Sequence, residues 1–152
     1  MLQPDSGKLH ILLADDDSDD CMLFNEAVAQ SNLPLEFTWA EDGVQLLNML
    51  QDPENAPDVL FLDVNMPYKN GIECLQEIRS KPQFEKLPIV IYSTTNYKVN
   101  IDSCYKGGAN LYVIKPNLFS DILKMVRKLC TKEWTRTFST PPPEFFIMST
   151  FE

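Results

Sequence analysis

The chain contains no apolar run approaching the roughly 20 residues that a membrane-spanning helix needs. Residues 1–8 are polar and include Pro4 and Gly7, so no signal peptide is expected. Positive charge is scarce. Thirteen Lys and Arg stand against 22 Asp and Glu, a formal net charge of −9. That balance argues against non-specific nucleic-acid binding, which runs on Lys and Arg, and against attachment to an anionic membrane surface. Cys21, Cys74, Cys104 and Cys130 include no CxxC pair, the local arrangement that zinc and redox motifs require. Each lies in an apolar-periodic segment, and together they read as buried free thiols of a reducing cytosol. No internal repeat and no second domain are expected.

What is present is ordinary globular material. With 152 residues and an apolar share of 44%, the chain is long enough for one compact core and too apolar for disorder. Short apolar runs at 9–14, 35–40, 59–62, 89–92 and 111–114 have the length and flanks of buried strands. Between and after them lie helical patterns. Ser18 is placed to cap a helix whose first turn holds Asp19 and Asp20, with Phe24, Ala27 and Val28 on one face. Further helices are expected over 43–50, around Ile72, Leu75 and Ile78, over about 99–106 ending at Gly107-Gly108, and over 118–130 with Ile122, Leu123, Val126 and Leu129 at helical spacing. Five strands alternating with five helices imply an α/β fold with a doubly wound parallel sheet, because parallel neighbours need crossover connections. Ligands bind such sheets beyond the C-terminal strand ends, at the topological switch point.

The residues that follow the strands are therefore the informative ones. Strand one ends in Asp15, Asp16 and Asp17; strand three in Asp63, Val64, Asn65, Met66 and Pro67; strand four in Ser93, Thr94 and Thr95; strand five in Lys115 and Pro116. Carboxylates held together repel, so the cluster must bind protons or recruit a cation. Mg²⁺ suits it, as a hard ion that takes a few oxygens and keeps several waters. A cation there would neutralise charge on a transferring phosphoryl group, and a hydroxyl and an ammonium would bind its remaining oxygens. The set reads as a phosphoryl-accepting constellation. Asp17, Asp19 and Asp20 read as solvent and helix-cap acids, and His10, near the start of a core strand, as structural and not as a phosphorelay histidine.

LLADDDS, FLDVNMP, NGIECL, VIYST and YVIKP, in this order and spacing over about residues 8–131, resemble the receiver domains of two-component response regulators. The resemblance implies a flavodoxin-like (βα)5 fold with strand order 2-1-3-4-5 and a phosphoryl group accepted from a sensor histidine kinase or phosphotransfer protein in the cytoplasm. Its output would be a switched surface read by a downstream protein. Position by position, it implies that Asp63 is the phosphoacceptor, that Asp16 ligates Mg²⁺ directly, and that Asp15 acts through metal-bound water. It further implies that the backbone carbonyl of Asn65 completes the metal shell, and that Ser93, Lys115 and Tyr112 are the switch hydroxyl, the phosphoryl-binding lysine and the switch aromatic. Ser93 stands where Thr is common, and Thr94 where Ala or Gly is usual.

Two other classes compete. A haloacid-dehalogenase-type phosphohydrolase also uses acids, a hydroxyl and a lysine on an α/β sheet, but its D-x-D-x-T/V pattern fails here, since Asp15-x-Asp17 is followed by Ser18 and Asp19. A pseudo-receiver that only binds would not need Asp16, Asp63, Ser93 and Lys115 together. The receiver is expected over 1–131. Residues 132–152, with Trp134, Phe138, Pro141-Pro142-Pro143, the 145–148 run and Phe151, form an extension too apolar to lie free in water. It is expected to pack on its own domain or on a second copy of the chain.

Overall fold

The computed structural model describes residues 7–151. A parallel sheet runs through it, built from β1 (Leu9–Ala14), β2 (Leu35–Ala40), β3 (Val59–Leu62), β4 (Ile89–Ser93), β5 (Leu111–Ile114) and β6 (Ile147–Met148), in the order β2-β1-β3-β4-β5-β6. The helices are α1 (Ser18–Gln30), α2 (Gly43–Leu50), α3 (Gly71–Arg79), α4 (Lys98–Lys106), α5 (Phe119–Leu129) and α6 (Lys132–Thr137). All five expected strands are present in the expected order. The sixth corrects the five-stranded expectation: two residues are too short to show a period, and Ile147–Met148 become a strand only because β5 offers them a free edge.

Both faces of the sheet are covered, which is why β1, β3 and β4 read as nearly continuous apolar runs, broken only by His10 and the terminal Ser93, and not as alternation. Leu9, Ile11 and Leu13 of β1 join Phe61, Tyr92 and Val113 beneath α1 and α5. Leu12 and Ala14 join Leu60, Leu62, Ile91 and Tyr112 beneath α2, α3 and α4. Among the described residues no helix is long and apolar enough to cross a membrane. All four cysteines are free and buried. Burial raises their pKa values, to about 12 for Cys21 and Cys104 and about 11 for Cys74, so they stay protonated and unreactive at neutral pH.

The helix starts refine the reading by one residue. Asp17, not Ser18, caps α1: its carboxylate accepts from the backbone N–H groups of Asp19 and Asp20 at 2.9 and 3.2 Å. At α3, Asn70 and Glu73 form a reciprocal capping box. Gly71 opens that helix where it crosses the end of β3. A Cβ there would overlap the Asp63 carbonyl oxygen and sit 2.9 Å from Val64 Cα. Backbone cannot yield as a side chain can, so Gly71→Ala should cost about 1–3 kcal/mol by overpacking. A thermal melt should read a loss of roughly 2–12 °C.

The extension packs on its own domain, one of the two outcomes expected for it. Thr131 caps α6 by accepting from Trp134 N–H at 3.0 Å. Trp134 and Phe138 stack, with ring centroids 4.5 Å apart. Asn110 Nδ2 donates to Thr140 Oγ1 at 2.9 Å, after which the chain passes through the prolines and a 3-10 turn (Pro143–Phe145) into β6. Phe146 then enters the core on the α4 side of the sheet, and Phe151 the core on the α1/α5 side.

Candidate functional site

Strand register brings the site together. Ala14 pairs with Leu62, and Ser93 with Ile114. Asp15 and Asp63 therefore leave neighbouring strands at one level, as do Thr94 and Lys115. Backbone bonds hold that level: Asp63 N–H donates to Ala14 O at 2.9 Å, Asp15 N–H to Ala40 O at 3.0 Å, and Lys115 N–H to Ser93 O at 2.9 Å. The level lies where β1 sends its connection to one side of the sheet and β3 to the other, the switch point of the topology.

One carboxylate oxygen from each of Asp15, Asp16 and Asp63 lies within 4.8 Å of the others. Asp15 and Asp63 are buried, at 1% and 5% exposure, while Asp16 is open to solvent. Lys115 Nζ reaches into the group, 2.7 Å from Asp15 Oδ2, 2.7 Å from Asp20 Oδ2 and 3.3 Å from Asp63 Oδ2. One ammonium does not balance these acids. Burial pushes the Asp15 carboxyl up to about 7 against the downward pull of Lys115 and the Asp17 N–H, with the charge of Asp63 adding to the rise. Burial alone would pull the Lys115 pKa down, but Asp15, Asp20 and Asp63 outweigh it and keep the ammonium charged.

The donor set fits a divalent cation. Three carboxylates face one another, and Asp15 Oδ2, though beside Lys115, has no aligned hydrogen-bond partner among the described residues. Hard oxygen ligands at a partly solvated mouth are what Mg²⁺ or Mn²⁺ takes.

The other expected residues lie around this group. Asn65 N–H donates to Asp63 Oδ1 at 3.3 Å, and Asn65 Nδ2 to Thr95 Oγ1 at 2.9 Å. Ser93 is fully buried and its Oγ accepts from Thr95 N–H at 3.2 Å. Tyr112 is also fully buried, and its hydroxyl donates to the Thr95 carbonyl at 2.6 Å. Tyr112, expected as the switch aromatic, thus lies inside in this structure. His10 lies at the opposite end of β1, its ring nitrogens beside Thr38 Oγ1 and the Ala56 carbonyl, well away from the acids.

Sequence reasoning missed two members. Asp20 is more than a cap acid, because the first turn of α1 aims it at Lys115. Thr95 links Asn65, Ser93 and Tyr112. The mouth is a pocket of about 490 Å³ lined by Asp15, Asp16, Trp39, Glu41, Asp42, Pro67 and Tyr68, with aromatic groups that no strand-end pattern announces.

Residues 11–127 match the model of the response regulator receiver domain. The chain belongs to the response regulator receiver family. It is 30% identical to response regulator Rcp1 of Synechocystis over 136 residues, 86% of this chain and 92% of that protein. Among solved structures, the phosphorylated cyanobacterial phytochrome response regulator RcpA superposes with a TM-score of 0.75 at 31% identity, covering 89% of this chain and 99% of that one. The Mn²⁺-bound form of Rcp1 superposes at 0.73 and 29% identity, covering 88% and 99%. This response regulator is thus a phosphoacceptor signalling protein, with its acid cluster where a receiver holds its divalent metal.

Proposed function

We propose that the regulator accepts a phosphoryl group on Asp63, with Mg²⁺ held by Asp16, Asp63 and the Asn65 backbone carbonyl and by Asp15 through water. The donor would be a sensor histidine kinase or a phosphotransfer protein acting in the cytoplasm, and the result a protein-binding surface switched through Ser93, Lys115 and Tyr112. The observation that carries this reading is the convergence of Asp15, Asp16 and Asp63 on one point with Lys115 Nζ beside them. In it, residues 1–131 carry the chemistry and 132–152 form an extension over the β5 edge.

The step balances simply. An Asp63 carboxylate oxygen forms a bond to phosphorus while the bond from phosphorus to the donor's imidazole nitrogen breaks, and the electron pair leaves with the imidazole. A bound Mg²⁺ supplies neutralisation of the charge on the transferring oxygens. Lys115 is placed to bind one such oxygen, and the Ser93 hydroxyl, oriented by Thr95 N–H, would donate its proton to another. Attack by water on the same phosphorus would return the carboxylate, a self-directed reversal that acts on no second substrate. Thr94 follows Ser93 at the level of Lys115 and is exposed, and its bulk, greater than that of the usual small residue, would limit that approach.

Acetyl phosphate with Mg²⁺ tests the acceptor. Intact-mass analysis should show one labile phosphoryl addition in wild type and none in Asp63→Asn. Equal labelling of the Asn variant would overturn the assignment. A second test reads the switch: beryllofluoride with Mg²⁺ should change hydrogen exchange across residues 93–118, and unchanged protection there would remove it.

A further inference from the structure

The extension reaches the site through one side chain. Phe146 is 1% exposed. Its ring packs edge-on against Tyr105 of α4 at 5.0 Å and against Tyr112 of β5 at 6.2 Å between centroids. Its carbonyl accepts from the Tyr112 N–H at 3.0 Å. The next residues pair with β5, Ile147 with Tyr112 and Met148 with Val113. Phe146 thus lies on the edge side of Tyr112, in the space between α4 and β5, which it closes to that ring. Held inward, the Tyr112 hydroxyl rests on the Thr95 carbonyl, while Thr95 N–H holds Ser93 Oγ and Thr95 Oγ1 holds the Asn65 side chain. Asn65 N–H in turn touches Asp63.

We infer that Phe146 is a positioning residue for phosphoryl binding: it wedges Tyr112 inward and, through Thr95, sets the loop that carries Ser93. The inference rests on the proposed phosphoacceptor reading of Asp63. A ring that fills an otherwise open space removes one alternative of a two-state side chain, and whatever favours one state raises the affinity of a ligand that prefers it. Held inward, Tyr112 fixes Thr95, whose N–H orients the Ser93 hydroxyl, so a seated Phe146 preorganises Ser93 and favours phosphoryl binding. Coupling is reciprocal, so occupancy at Asp63 tightens the hold on the extension.

The test uses the full-length chain and beryllofluoride with Mg²⁺ as the acyl-phosphate mimic. Wild type should bind and Asp63→Asn should not; if that contrast is absent, the reading of Asp63 fails and not the role of Phe146. With the contrast in place, Phe146→Ala should weaken beryllofluoride binding by roughly fivefold or more and speed exchange of the Tyr112 amide. Phe146→Leu, which keeps most of the wedge, should stay within about twofold of wild type, and Phe145→Ala, 71% exposed next door, should change nothing. If the alanine variant does not fold, Phe146→Val supplies an intermediate deletion with the same expected sign. A double-mutant cycle with Tyr112→Phe separates wedge from bulk stability, because a residue acting through the tyrosine shows a smaller effect once the hydroxyl is gone. Wild-type affinity in a variant whose Tyr112 amide has lost protection would overturn the inference. So would protection that survives loss of the ring, or additive effects in the cycle.

Discussion

Replacing Asp16 by Ala should weaken Mg²⁺ binding by at least about tenfold, since the site loses one of three converging carboxylates and the only one open to solvent. The reporter is built in. Trp39 lines the same pocket as Asp15 and Asp16 and is 39% exposed, so its fluorescence should follow a Mg²⁺ titration. Wild-type affinity in Asp16→Ala would place the ion elsewhere. The sign of a second substitution separates charge from shape. Lys115 Nζ lies within 2.7–3.3 Å of Asp15, Asp20 and Asp63, where it neutralises the charge a cation would. Lys115→Ala should therefore tighten Mg²⁺ binding while it weakens retention of the beryllofluoride mimic, which loses a charge-assisted partner. Loss of both would show that Lys115 shapes the acid cluster and does not compete with the ion.

Most of the fold was legible because parallel strands buried on both faces leave short, dense apolar runs. VLFL at β3 and IVIYS at β4 are buried at every residue; the first is followed at once by Asp63, and the second ends in Ser93, itself a residue of the site. The site was legible for the same reason. In a parallel sheet, neighbouring strands reach their C-terminal ends together, so Asp15, Asp63, Ser93 and Lys115 follow from strand boundaries alone. Asp20 was not legible, because its meeting with Lys115 depends on how the first turn of α1 lies against the end of β5, a tertiary distance with no sequence period. The start of α1 was ambiguous by one residue, since Asp17 and Ser18 are both good caps and only the hydrogen bonds to Asp19 and Asp20 decide. The burial of Tyr112 depends on Phe146, 34 residues onward, and β6 depends on the free edge of β5. Neither is a property of its own segment.

The extension's hold on the domain can be read from its last described residue. Phe151 is 6% exposed and packs into the cluster formed by α1, α5 and the sheet, with Leu9, Phe24 and Leu129. Truncating a buried phenylalanine costs about 3–5 kcal/mol where the surroundings cannot collapse. At roughly 2–4 °C per kcal/mol for a chain of this size, Phe151→Ala should lower the melting temperature by about 6–20 °C. A competing effect sets a ceiling. Chain ends open locally at less than the global stability, and β6 is only two residues long, so the loss cannot exceed the free energy that holds the extension in place. The measured shift therefore reports that docking energy when it is small and the core contact when it is large. Phe145→Ala, at an exposed position of the same segment, should stay within about 0.5 kcal/mol of wild type. If Phe151→Ala melts within about 1 °C of wild type, the extension is not part of the cooperative unit, and β5 must be treated as an edge strand that the extension covers only loosely.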